Sequence, residues 1–263
     1  MPITPYIVAG KSQIGSTPIP LSKLMAHEDY DCLRLELKVV DQHFTSETAQ
    51  HPARRWEYAL ALRALHQWLH DTEPPAISWC DVGGAGSPFH HMPSEVVDST
   101  TRTRISKLSC IIDPRLPVNG RTLHEETGHW DVVFCISVLE HIDDLYEFLA
   151  DLDRITLPGG MLFLTVDCQE EDGPDNKHFH WMRKRIFSRK TWMELGHFYL
   201  ERGWEFLGWV DDRWRGEQVF NYTFGSLALK KGAPWPLTPP SNPPSTPSAS
   251  AVSAAVSWSS ASP

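Results

Sequence analysis

Asp81-Val82-Gly83-Gly84-Ala85-Gly86-Ser87-Pro88 is the stretch on which the reading of this chain turns. It follows Ile77-Ser78-Trp79-Cys80, a short apolar run of the kind that forms a buried strand. Ser87 suits a helix N-cap and Pro88 a first helical position. Strand, glycine turn and helix start in this order make a ligand site of nucleotide size. Glycines let the backbone approach a ligand closely, and a helix N-terminus offers unpaired N–H groups. Asp81 sets the loop apart from a dinucleotide loop, and Phe89 stands where the third glycine of G-x-G-x-x-G should be. A carboxylate at the end of the strand suits a ligand that carries positive charge rather than a bare pyrophosphate.

Two further blocks extend the pattern. Trp130-Asp131-Val132-Val133-Phe134-Cys135-Ile136-Ser137-Val138-Leu139-Glu140-His141-Ile142 reads as a buried strand running into a polar loop. Leu157-Pro158-Gly159-Gly160-Met161-Leu162-Phe163-Leu164-Thr165-Val166-Asp167 reads as a turn and a second buried strand. In this order the three blocks resemble the class I S-adenosylmethionine-dependent methyltransferases, and the resemblance spans residues 52–231. The glycine loop alone is a weak signal; the three blocks together are a strong one. The resemblance implies a Rossmann-like α/β fold, a doubly wound and mostly parallel sheet with an antiparallel C-terminal edge strand. It implies S-adenosylmethionine as cofactor, whose ammonium and sulfonium groups fit the positive charge that Asp81 asks for.

Composition narrows the class. At 263 residues the chain suits one good core with decorations, since single domains run to about 250 residues. A formal net charge of −9 argues against general nucleic-acid binding by phosphate neutralisation, although Arg183-Lys184-Arg185 and Arg189-Lys190 form local basic groups. No apolar run approaches the ~20 residues of a membrane helix, and no basic-then-apolar leader opens the sequence. The five cysteines are scattered without a Cys-x-x-Cys pair, which fits a soluble, reducing, cytoplasmic setting.

Along the chain, residues 1–51 form an N-terminal helical extension that is irregular at first, in which 33–40 could be strand or helix. Residues 52–231 form the methyltransferase-like domain. Its first helix puts Tyr58, Leu62, Leu65 and Leu69 on one face and leaves Arg54, Arg55 and Arg63 for solvent, with Pro74-Pro75 as its stop. Strands are expected at 77–80, 108–112, 131–136, 161–166, 206–210 and 219–229. A helix of uncertain length starts at Pro88. Asp143-Asp144 open another, with Leu145, Phe148, Leu149, Leu152 and Ile155 inward and Pro158-Gly159-Gly160 as its stop; Ser188 caps one with Trp192, Leu195 and Tyr199 inward and Gly203 as its stop. Residues 232–263 are rich in Pro, Ser and Ala, a composition expected to stay disordered.

By the resemblance, Asp81 holds the methionine end of the cofactor against the backbone of Gly83, Gly84, Ala85 and Gly86. Asp113 would take both ribose hydroxyls, for which a carboxylate that only accepts is suited. The alternative is a turn-forming Asp-Pro. The stretch 114–129 is too short for the family's usual helix and third strand. Glu125 and Glu126 are therefore candidates for the adenine contact by position only. Ser137 and Val138 would line the cofactor. Glu140 and His141 face the methyl-transfer region or stabilise the loop. His141 is a general base, given histidine's ordinary pKa near neutrality, or a histidine hydrogen-bonded within its loop. Residues 167–185 read as a substrate lid, in which Trp181 and Phe179 stack on an acceptor and His178, His180 or Arg183 contact its polar groups. Its bland reading is a solvated loop. Zinc held by His178 and His180 with His90 or His91 has no support from ligand spacing, and no metal is expected. The chain thus reads as a cytoplasmic methyltransferase acting on an unidentified acceptor, a small molecule favoured. Two other readings stand beside it: a catalytically silent methyltransferase-like binding module, and a nicotinamide-dependent oxidoreductase, which Phe89 and Asp81 oppose.

Overall fold

The structure is a computed structural model. It describes residues 19–43, 52–74, 76–83, 104–107, 111–112, 123–169, 176–178, 184–213 and 222–232. Strand β1 (Ser22–Leu24) is followed by helices α1 (Asp29–Cys32), α2 (Arg34–His43) and α3 (Pro52–Thr72). Strands β2 (Ala76–Val82), β3 (Arg104–Lys107), β4 (Ile111–Ile112) and β5 (Trp130–Ile136) come next, then helix α4 (Leu145–Ile155) and the long strand β6 (Thr156–Gln169). The hairpin β7 (Asn176–His178) and β8 (Lys184–Ser188), helix α5 (Arg189–Leu200), and strands β9 (Trp204–Phe206), β10 (Val210–Asp211) and β11 (Thr223–Lys231) complete the described chain.

The sheet runs β10-β1-β11-β6-β5-β2-β3, with β4 also paired to β2. β2, β5 and β6 are parallel, and β11 is antiparallel to β6. Beyond β2 the chain adds β3 and β4 on one side and then returns with β5 on the other. Strand order reverses between β2 and β5, and α/β sheets bind ligands outside the carboxyl ends of the strands at such a point.

Side-chain alternation sorts the core into two layers. Ile77, Trp79, Val132, Phe134, Ile136, Met161 and Phe163 pack with α1, α2 and α3. Cys80, Val82, Val133, Cys135, Leu162, Leu164 and Val166 pack with α4 and α5. Helices on both faces of a mostly parallel sheet make the doubly wound architecture expected from the sequence. The starts of α4 and α5 also hold: the Asp144 carboxylate accepts from the Glu147 N–H at 3.2 Å, and the Ser188 hydroxyl accepts from the Thr191 N–H at 3.0 Å.

Several expectations are corrected. The segment 33–40, open between strand and helix, takes the helical alternative from Arg34 on, within α2; the extension is not purely helical, because β1 pairs with β11 along its outer side. The α3 arginines are not left to solvent. Arg63 is buried, and its guanidinium meets both oxygens of Glu36 and the Cys32 carbonyl. Lys23 is likewise buried and paired with Asp29, whose other oxygen accepts from the Trp56 indole at 2.9 Å. α1 and α2 thus cover the face of α3 that the helical periodicity assigned to water. Strand β6 is longer than its apolar stretch, because Pro158-Gly159-Gly160 lies inside it rather than ending α4. The polar stretch after it holds the β7–β8 hairpin. The expected helix after Pro88, residues 108–110 and the tail beyond Gly232 lie outside the described residues. Among the described residues Cys32, Cys80, Cys135 and Cys168 are free thiols, and no helix is long and apolar enough to cross a membrane.

Candidate functional site

β2 ends in Asp81-Val82, with Asp81 paired to Phe134 of β5 and to Ile111 of β4, and 1% exposed. Alternation turns Asp81 to the α3 face, together with Thr165 and Asp167 of β6. Gly83 follows at φ +78°. A Cβ there would stand 2.3 Å from Val138 Cγ2, so both the backbone angle and the close approach of the next strand's loop require glycine. The opposite wall starts at Ser137, whose φ of +51° is left-handed in a residue that carries a side chain. The chain then passes through Val138 into a single 3₁₀ turn, Leu139–His141. Glu140 is buried and His141 half-buried in that turn, and β8 packs beside it.

Sequence reasoning missed the contribution of α3. This helix runs back along the sheet after a short link to β2, so its first turns stand at the carboxyl ends of the strands. Its Glu57 is fully buried there. One Glu57 oxygen accepts from the Ser137 hydroxyl at 2.6 Å and from the Thr165 hydroxyl; the other accepts from Arg54 at 3.0 Å. Burial opposes the charge of Arg54, yet Glu57 first, then Tyr58, Glu140 and Asp167, outweigh it and hold the guanidinium pKa above its ordinary value. Burial pushes the Tyr58 phenol upward; Arg54 pulls it back and the Glu57 and Asp81 charges add to the rise. The Cys135 thiol is raised too, by burial and then by Glu140 and Asp81. One guanidinium therefore sits among the carboxylates of three different elements. The available signal was Arg54 and Glu57 at i, i+3 in the first turns of the helix that precedes β2.

A family model described as a methyltransferase domain matches residues 53–207, more than half of the chain. The chain belongs to the methyltransferase domain family. Family and fold agree with the resemblance read from the sequence, to the class I S-adenosylmethionine-dependent methyltransferases.

Solved structures resemble this methyltransferase only distantly. The 1,6-didemethyltoxoflavin-N1-methyltransferase of Burkholderia thailandensis is 16% identical at a TM-score of 0.44, with 82% of this chain and 93% of that chain covered. The N-methyltransferase NodS of Bradyrhizobium japonicum is 11% identical at 0.40, with 74% and 98% covered. The [4+2]-cyclase SpnF is 15% identical at 0.40, with 78% and 94% covered. At these scores the likenesses carry no argument about the reaction. No curated protein matches the chain in sequence.

Of the residues expected in the methyltransferase site, Asp81, Gly83, Ser137, Val138, Glu140 and His141 come together around the ends of β2 and β5. Gly84, Ala85, Gly86, Asp113, His180, Trp181 and Arg183 lie outside the described residues. His178 ends β7 opposite Lys184, so the backbone places it in the hairpin whose second strand pairs with the end of β6. Glu125 and Glu126 are corrected. They precede β5 and lie at its amino end, where Glu126 accepts from the Gly128 N–H at 2.6 Å and Arg154 of α4 donates to the Glu126 carbonyl. That is the end of the sheet opposite the crevice. Among the described residues no group of three His, Cys, Asp or Glu side chains is arranged to hold a metal ion.

Proposed function

We propose that the methyltransferase binds S-adenosylmethionine in the crevice between Asp81–Gly83 and the turn from Ser137 to His141, and methylates an acceptor held over the same strand ends. The observation that carries this reading is a buried carboxylate followed by a left-handed glycine, at the point where strand order reverses, in a chain of this family. The residues fit the cofactor. Asp81 would accept from its ammonium, the missing Cβ of Gly83 would let the loop lie against it, and Val138 would supply an apolar wall. When bound, S-adenosylmethionine would supply an electrophilic methyl group on a positively charged sulfur, which would keep the carbon–sulfur electron pair as the methyl passes to the acceptor by SN2 displacement, giving S-adenosylhomocysteine.

The protein's own task is alignment, which provides most of the rate where the leaving group is already activated. Glu140 and His141 face the transfer region, and His141 takes the acceptor proton where the acceptor is a hydroxyl or an amine. Gly84, Ala85 and Gly86 continue the cofactor loop, and Asp113 takes the ribose. His178, His180, Trp181 and Arg183 recognise the acceptor, for which a small molecule is favoured. Trp181→Ala should then leave cofactor affinity intact and impair methyl transfer, because a stacking aromatic is worth about 1–3 kcal/mol where stacking supplies recognition. Unimpaired transfer by that variant would remove Trp181 from the acceptor site. The free thiols suit a cytoplasmic setting. Calorimetric titration with S-adenosylmethionine, S-adenosylhomocysteine and NADH tests the reading as a whole. Binding of the first two and not the third is expected, whereas binding of NADH alone would make the protein an oxidoreductase and binding of none a silent module.

A further inference from the structure

Ser137 holds a left-handed backbone although it carries a Cβ, a conformation that costs about 1–2 kcal/mol and persists where neighbours over-determine it. Two sets of contacts do so. The Ser137 N–H donates toward the carbonyl and hydroxyl oxygens of Thr165, at 3.2 and 3.1 Å. Its hydroxyl donates to Glu57 at 2.6 Å, and the Thr165 hydroxyl donates to that same carboxylate oxygen. The left-handed residue aims the next one, Val138, so that its methyl groups occupy the space a Cβ on Gly83 would need. A continuous series of contacts therefore runs from Glu57 on α3, through Ser137 and Val138 on the β5 loop, to Gly83 on the β2 loop. Both walls of the crevice are set by it.

We propose that Glu57 is a positioning residue, acting through Ser137 to fix the spacing between the two walls that hold the cofactor. The proposal rests on the crevice being the S-adenosylmethionine site. A carboxylate is suited to the place because every group that meets it is a donor: two hydroxyls on one oxygen and the Arg54 guanidinium on the other. Glutamine can satisfy the same partners, its oxygen turned to Arg54 and its amide nitrogen donating to the hydroxyl oxygens. Alanine can satisfy none of them.

The test is titration of the full chain with S-adenosylhomocysteine, with melting curves beside it, for wild type, Glu57→Gln, Glu57→Ala, Ser137→Ala and the Glu57→Ala/Ser137→Ala double variant. The expected result is an affinity within about threefold of wild type for Glu57→Gln and a loss of tenfold or more for Glu57→Ala and for Ser137→Ala. The double variant should be no weaker than the weaker single one, because residues acting in series are not additive. Should Glu57→Ala fail to fold, Glu57→Asp, whose carboxylate is one methylene short of the two hydroxyls, is expected to show the same loss, and wild-type affinity in that folded variant would overturn the proposal. A Glu57→Ala protein that melts lower yet binds as wild type does would overturn the proposal, as would two single losses that simply multiply in the double variant. Wild-type protein that fails to bind the probe would instead overturn the reading of the crevice, which keeps the two failures distinct.

Discussion

At Gly83 two independent constraints meet, a φ of +78° and a neighbouring methyl group 2.3 Å from where a Cβ would stand. Gly83→Ala should therefore lower stability by about 1–3 kcal/mol and weaken cofactor binding, because relief requires Val138 to leave the crevice wall. Melting curves and a titration check both halves, and a variant like wild type in both would show that the two loops do not touch. His141 has two roles open to it, and they separate by pH. As a base it makes His141→Ala depress turnover with a smaller loss at high pH, where the acceptor ionises unaided. As a structural residue it makes the same change lower stability and reduce turnover equally at every pH. A pH–rate profile with melting curves decides between them.

Among the elements, α4 and α5 were legible because their signals are local, an acid or hydroxyl cap and an apolar stripe, although the stop read for α4 lies inside β6. α3 was legible as a helix, opened by Pro52 and closed before Pro74, but its environment was not. Periodicity finds the more apolar face of a helix, and it carries no information about a second layer folding over the other face. Here α1 and α2 supply that layer, and acids of α2 receive two of the arginines that the pattern assigned to water, Arg63 at Glu36 and Arg55 at Asp41. The same blindness hid Glu57 and Arg54 at the crevice. Strand β1 was invisible for another reason: three residues are too few for alternation to register, and pairing with β11 holds them. Arg63→Ala would strand the buried Glu36 carboxylate, and breaking such a pair costs about 3–5 kcal/mol. Chemical denaturation measures it, and a change below about 1 kcal/mol would mean that Glu36 finds another partner or water.

At the scale of the molecule, the strand order and the family match carry the account further than any single motif does. The sequence blocks supplied β2, β5 and β6 in their order, and the structure adds that the order reverses between β2 and β5, which fixes the end and the gap where a ligand belongs. Asp81 stands at that gap, buried at the strand end and turned to the α3 face. A charge-assisted hydrogen bond of about 1.5–3 kcal/mol between its carboxylate and the cofactor ammonium corresponds to a tenfold or larger effect on affinity. Calorimetric titration of wild type and Asp81→Ala with S-adenosylhomocysteine is the most direct measurement of the central claim. The account predicts at least tenfold weaker binding by a variant that still melts as a folded protein; unchanged affinity in that folded variant would contradict it.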